Sequence, residues 1–302
     1  SFFGESSQKN ISIADGRRCV LSTGGKFDVI VADLFHPAQD GAGFLYTREH
    51  FAAIRARLSD QGVFCQWLPL FQMDLPTVRV IVRTFLESFP GSEGWLLRFN
   101  VDTPVIGLIS NSSRRTTPPD ALFELEPLRQ AGLTDAVRLL GCHAASAGDL
   151  ERFAAGASLN TDDHPVVMFR APLLTVQRED RPGRRLLEFL QGAGTGAPPD
   201  WIEDRRLAGR VEAFKSARDL HLQGLLEEAE GKVGPAASLY LASARVSADF
   251  TASYARALTI ATALAAAQPE FARTLLTGLA EARPEIPVAR QLLDRLAPAP
   301  GP

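Results

Sequence analysis

The sequence predicts an α/β fold followed by an all-α domain, and three observations carry that expectation. Short apolar runs rich in Val and Ile end at aspartates and alternate with helical patterns as far as Ala155. A stretch bearing Gly, Pro and charge clusters, residues 177–200, then interrupts the chain. Beyond Asp204 no strand pattern survives, and Ala and Leu recur at helical spacing to Leu296.

Taken in order, Ile11–Ala14 and Phe27–Ala32 are apolar runs of the kind that suits strands buried on both faces, as in a parallel sheet. Each ends at an aspartate, Asp15 and Asp33. Gly62–Cys65, Trp95–Phe99 and Val105–Ser110 are further strand candidates. Thr47–Leu58 carries Phe51, Ile54 and Leu58 at helical spacing and stops at Asp60-Gln61-Gly62. Asp74–Phe89 opens on an Asp N-cap with a Pro in the first turn and ends at Pro90-Gly91. After a polar segment from Asn111 to Pro119 come short helices. Leu159–Phe169 (LNTDDHPVVMF) reads as a polar turn leading into a small strand. The expected domains are 1–175 (α/β), 176–208 (a linker with one short helix) and 209–302 (helical).

In the helical part Gly224, Gly231, Ala236 and Tyr240 fall at positions 8, 15, 20 and 24 of a 34-residue helix–turn–helix unit. This small-small-small-aromatic pattern lets two helices pack closely, as in a tetratricopeptide repeat. A degenerate second copy runs from Phe250 to about Arg283, with Ala272 and Leu276 in equivalent places. An Ala-rich helical hairpin of no particular family fits the same residues.

The 302 residues contain 45% hydrophobic and 22% charged residues, which excludes a wholly disordered or collagen-like chain. A net charge of −3 leaves no global footprint for nucleic acid or an anionic membrane. Ala257–Ala267, the longest uncharged apolar stretch, is 11 residues long against the roughly 20 a bilayer requires. Three widely spaced cysteines, Cys19, Cys65 and Cys142, fit neither a disulfide framework nor a zinc cluster. The chain opens Ser1-Phe2-Phe3 with no leader pattern and reads as a piece of a longer polypeptide.

An aspartate just past the carboxyl end of a parallel strand points into the crevice where α/β sheets bind ligands. The order of segments is more specific. ADGRRCV, then FDVIVADLFHP with LYTREHF, then LSDQGVFCQ, resembles the spermidine synthase family of aminopropyltransferases. The likeness continues through Asn100–Gly107 and spans about residues 2–172. A bacterial subgroup often fused to membrane segments also carries an L-N-T-D-D-x-P stretch like Leu159–Pro165.

The resemblance implies a class-I methyltransferase-like (Rossmann-like) sheet, incomplete at its N-terminus: the glycine-rich loop and the acidic ribose-binding strand of the family would precede the DGR segment. Family topology places those first two strands between the strand ending at Asp15 and the one ending at Asp33. The implied activity is aminopropyl transfer from decarboxylated S-adenosylmethionine to putrescine or a related amine, with no metal, and it is expected to be impaired in this piece alone. Asp15, with Gly16, would hold the adenine. Asp33 would be the catalytic carboxylate, facing a cavity, and Gln66 would position the amine. Tyr46 lies in the segment that closes over the site.

This chain departs from the family at His36, which stands where a second loop aspartate pairs with the amine. Asp102 is the residue expected to compensate, and His36 reads equally as a turn residue before Pro37. Asp162-Asp163-His164 reads as a turn rather than a metal site, Arg17-Arg18 as a solvated basic pair, and Trp67 with Phe71 as walls of an alkyl-amine channel or ordinary core. Two other functions fit the same fold: an S-adenosylmethionine-dependent methyltransferase, and a non-catalytic nucleoside- or polyamine-binding module whose helical part recruits a protein partner. The expected location is cytoplasmic, or the cytoplasmic face of a membrane where upstream membrane segments exist.

Overall fold

The computed structural model of the chain describes residues 13–33, 36–39, 41–96, 98–110, 116–176, 182–194, 199 and 201–296. The described residues fall into two compact units. The first comprises residues 1–98, 103–136 and 143–195, and the second residues 99–102, 137–142 and 196–302.

The first unit is built on a five-stranded mixed sheet in the order β1-β2-β4-β3-β5. The strands are β1 (Phe27–Ala32), β2 (Leu58–Pro69), β3 (Glu93–Trp95), β4 (Val105–Ile109) and β5 (His143–Ala145). Only β1 and β2 pair in parallel; β2–β4, β3–β4 and β3–β5 are antiparallel. Around the sheet lie α1 (Gly16–Ser22), α2 (Arg48–Arg57), α3 (Leu75–Ser88) and α4 (Glu126–Gln130). After α5 (Ala136–Leu140) the unit resumes with α6 (Ala147–Ala154), α7 (Val166–Val176) and α8 (Pro182–Ala193).

Local chemistry sets the helix starts. The Thr47 side chain accepts from His50 N at the head of α2, and Asp74 accepts from Thr77 N at the head of α3, with Pro76 in its first turn. These two helices bury Phe51, Phe85 and Phe89 against Phe64 of β2, with ring centroids between 5.0 and 5.5 Å apart for all but one contact in the cluster. Edge-to-face and offset contacts of this kind stabilise beyond area burial alone.

Three sequence expectations are corrected. Phe27–Ala32 is a strand but is not buried on both faces: Phe27, Val29 and Val31 are 45%, 63% and 56% exposed. The reason is position: among the described residues β1 is an edge strand and pairs only with β2. The strand at Ile11–Ala14 lies partly outside the described residues, and Ile13 and Ala14 are irregular backbone running directly into α1. The apolar segment after Pro165 is the helix α7, not a strand. A run of four apolar residues does not distinguish the two periods, and here packing of α7 decides. Gly43 has no room for a side chain, because a Cβ there would meet the Met168 backbone at 2.7 Å.

In the second unit α9 (Arg205–Ala229), α10 (Val233–Val246), α11 (Ala252–Leu264), α12 (Pro269–Ala282) and α13 (Val288–Leu296) follow one another. Their shared core contains Tyr240, Tyr254, Ile260, Leu275, Leu276 and Leu279. Gly231, at φ 77°, makes the turn between α9 and α10. Gly224 lets the helices approach: a Cβ there would lie 2.5 Å from Cε1 of Tyr240. The Tyr240 ring cannot yield freely, since it is fully buried and its hydroxyl donates to Glu228 Oε2 at 2.8 Å. Gly224→Ala is therefore expected to lower stability by about 1–2 kcal/mol despite the better helix propensity of alanine. Denaturant unfolding measures this, and an unchanged or higher midpoint contradicts the packing.

His221 sits behind this contact, buried. Ser243 Oγ donates to Ala217 O (2.7 Å) and Ser253 Oγ donates to Ser243 Oγ (2.7 Å). Each hydroxyl has one proton, so His221 must donate from Nδ1 to Ser253 Oγ, 2.9 Å away. Burial, with the nearby Arg256 guanidinium, pushes the His221 pKa down to about 4.

Candidate active site

Asp33 ends β1, and the register Ala32↔Gln66 sets Gln66 of β2 beside that end, at the carboxyl edge of the parallel pair. Gln66 is fully buried. Its Nε2 donates to Trp67 O at 3.0 Å, while Oε1 is buried with no hydrogen-bond partner among the described residues. A buried amide oxygen left unsatisfied costs about 1–3 kcal/mol, so its retention calls for a physical reason. The neighbouring Cys65 thiol is pushed up to about 11, first by burial and then by the negative charge of Asp33. The carboxylate therefore lies close enough to β2 to act on it.

Asp33 is exposed, where the sequence reading expects a carboxylate facing a cavity. The open outer flank of the edge strand accounts for the difference. His36 is half-buried and serves the turn: its Nδ1 accepts from Ala38 N at 3.2 Å and its carbonyl from Gln39 N at 2.9 Å. Gly41, at φ 77°, turns the chain into a 3-10 segment over Ala42–Tyr46. Tyr46 is fully buried at its end, and burial raises its phenol pKa.

Asp15 caps α1, its Oδ1 accepting from Arg18 N at 2.8 Å, and both Asp15 and Gly16 are exposed. An added Cβ at Gly16 would meet nothing within 4 Å. Asp102 belongs to the second unit, is exposed, and its amide donates to Asn100 Oδ1 at 2.6 Å, a local turn. Within the first unit the register sets Gln66 opposite Ala32, the residue before Asp33; Asp33 acts on the Cys65 thiol, and Asp15 and His36 have helix-cap and turn roles.

The Leu159–Pro165 stretch contributes more than a turn. Asn160 is fully buried: its amide donates to Thr84 Oγ1 (2.9 Å), its Nδ2 to Gly43 O (3.3 Å), and its Oδ1 accepts from Val167 N (3.1 Å). Asp162 pairs with Arg17, and the Asp162 amide donates to Glu49 Oε2 at 3.0 Å. Burial alone would raise the Asp162 pKa, but the Arg17 guanidinium outweighs it and holds the carboxyl below its usual range. Beside them His50 is buried with Nδ1 unpartnered among the described residues, and burial, then Arg17, pushes its pKa down to about 4. Arg17 is consequently not the solvated residue that the sequence reading expects. The motif DGRR marks the position, but nothing in it names a partner 145 residues away.

Among the described residues no group of three or more His, Cys, Asp or Glu side chains is placed to hold a metal ion, and no helix is long and apolar enough to cross a membrane.

Over 172 residues the chain is 27% identical to the polyamine aminopropyltransferase of Synechococcus sp. (strain JA-2-3B'a(2-13)). The aligned part is 53% of this chain and 55% of that protein, so the chain spans about half the length of the curated relative it matches. No protein-family model matches the chain. The similarity supports a spermidine synthase-like relationship at the level of the family, on an α/β fold.

Proposed function

We propose that the first unit is the amine-side half of an aminopropyltransferase that uses decarboxylated S-adenosylmethionine and putrescine or a related amine. The observation that carries this reading is the carboxyl edge of the parallel pair, where Asp33 follows the Ala32 that pairs with Gln66, and where the buried Gln66 amide oxygen has no hydrogen-bond partner among the described residues. An acceptor of that kind matches the ammonium of a diamine. The likeness to a polyamine aminopropyltransferase points the same way.

A primary amine is protonated at neutral pH and cannot attack carbon. In the proposed step Asp33 takes the ammonium proton as the nitrogen lone pair forms a C–N bond to the carbon next to the sulfonium. The C–S bond breaks with its electron pair, leaving neutral methylthioadenosine. Asp15 and Gly16 would hold the adenine, and His36 and Tyr46 would border the amine.

The exposed edge and face of β1 support the further reading that the pocket is completed by strands beyond those described, on a class-I methyltransferase-like sheet. Activity is accordingly proposed for the complete gene product. The packing of Gly224 under Tyr240 supports reading α9 and α10 as a tetratricopeptide-like unit that serves a protein partner. The turn role of His36 favours one second reading, a non-catalytic nucleoside- or polyamine-binding module.

Calorimetry on the complete gene product separates these readings. Decarboxylated S-adenosylmethionine is expected to bind more tightly than the carboxylated form, and to give methylthioadenosine when putrescine is added. Preference for the carboxylated form contradicts the transferase reading, and binding without turnover leaves the module.

A further inference from the structure

None of the seven residues of α1 is buried. Isolated helices shorter than about 12 residues are marginal in water, so α1 must be held from outside. Two arginines do this. Arg57 of α2 donates from Nε to Val20 O and from Nη2 to Leu21 O, each at 3.1 Å, and fixes the carboxyl end. Arg17 fixes the end next to Asp15. Its Nη1 donates to Phe44 O at 3.3 Å, its Nη2 pairs with Asp162 Oδ2, and its guanidinium carbon stands 5.7 Å from the Phe44 ring centroid.

Phe44 sits in the Ala42–Tyr46 segment, and Asp162 in the turn after Asn160, whose side chain holds Gly43 O. One planar cation therefore touches three pieces of chain: the Asp15–Gly16 turn, the segment ending at Tyr46, and the Asn160–Asp162 turn. A fork with several fixed donors suits such a junction, whereas lysine offers a single point charge.

We infer that Arg17 is a positioning residue that couples the two halves of the site, so that ordering the Asp15–Gly16 turn by a nucleoside also orders the Ala42–Tyr46 segment for the amine. The coupling rests on the functional reading proposed above; the clamp itself does not. Because none of its residues is fully buried, the loss of this junction leaves α1, among the described residues, with the Arg57 hydrogen bonds at its far end. Coupling through ordering of this kind is reciprocal and typically amounts to about 5–150-fold in affinity.

The test uses the full chain with methylthioadenosine and putrescine as probes, titrated separately and together. Wild type is expected to bind each probe about tenfold more tightly in the presence of the other. Arg17→Leu is expected to abolish that enhancement, Asp162→Asn to reduce it, and Arg17→Lys to restore only part of it. A merely structural Arg17 would weaken each probe alone and leave the enhancement intact, which overturns the inference. Binding of both probes to wild type without enhancement also overturns it while the proposed function stands. If wild type binds neither probe, the functional reading fails and the coupling with it.

Hydrogen exchange of the ligand-free chain then judges the clamp independently. In Arg17→Leu the amides of Arg18 and Cys19 are expected to exchange about tenfold faster, with α3 unchanged. Unaltered exchange in α1 overturns the clamp whatever the ligands do.

Discussion

Asp33→Asn is expected to reduce aminopropyl transfer by the complete gene product by about 10²- to 10⁴-fold, the usual contribution of a positioned general base. The amide is nearly the same size and keeps an acceptor, but it has no negative charge to attract an ammonium and cannot take its proton. Methylthioadenosine binding should stay within about twofold of wild type, because in the proposed arrangement Asp33 faces the amine and not the nucleoside. The same substitution has a readout that needs no activity. The Cys65 thiol stands at about 11 in part because Asp33 is negative, so its pKa should fall in Asp33→Asn while burial keeps it above the ordinary value. Thiol titration in a Cys19→Ser, Cys142→Ala background checks this. An unchanged Cys65 would mean that the carboxylate does not act on β2, and undiminished turnover would remove Asp33 from the chemistry.

Mild acid should destabilise both units through one buried histidine in each. His50 and His221 are held at about 4 in the folded chain, chiefly by burial, against 6.5 when unfolded. Both therefore stay neutral in the folded chain between pH 6.5 and about 4, while the unfolded chain takes up protons there. Stability is fully present above pH 6.5 and falls as pH drops through the window from 6.5 to about 4, by about 3 kcal/mol per histidine. The depressed carboxyls of Asp162, Glu228 and Asp249 lose their contribution at lower pH, below the ordinary carboxylate value, so the two effects separate on the pH axis. His221→Gln keeps a donor for Ser253 without the titratable ring. It should flatten the dependence of unfolding free energy on pH between 6 and 4.5 by up to one proton. Equal slopes for the variant and wild type would show that His221 is not held neutral.

The elements whose local chemistry is strong are legible in the sequence. Asp74 with Pro76 starts α3, and Thr47 starts α2, where capping and periodicity agree. Phe27–Ala32 is a strand over its predicted span. The run after Pro165 is not legible, because a few consecutive apolar residues carry no period, and only contact with Gly43 and the neighbouring helices makes it α7. In the site, Asp33 and Gln66 are recognisable as strand-end residues, and the register sets Gln66 opposite Ala32, the residue before Asp33. The junction of Arg17, Phe44 and Asp162 is not, since its members lie far apart in the chain and each alone looks like an ordinary surface residue.

By itself the sequence determined the elements with strong local signals, the caps that start α2 and α3, and the residue types available for amine and nucleoside chemistry. These depend on interactions within a few residues of chain. Only the tertiary structure decided that β1 is an edge strand, that Asp33 is consequently exposed, and that Arg17 joins three segments. Exposure, strand neighbours and ion-pair partners depend on which distant segments meet, and local periodicity contains no record of those meetings.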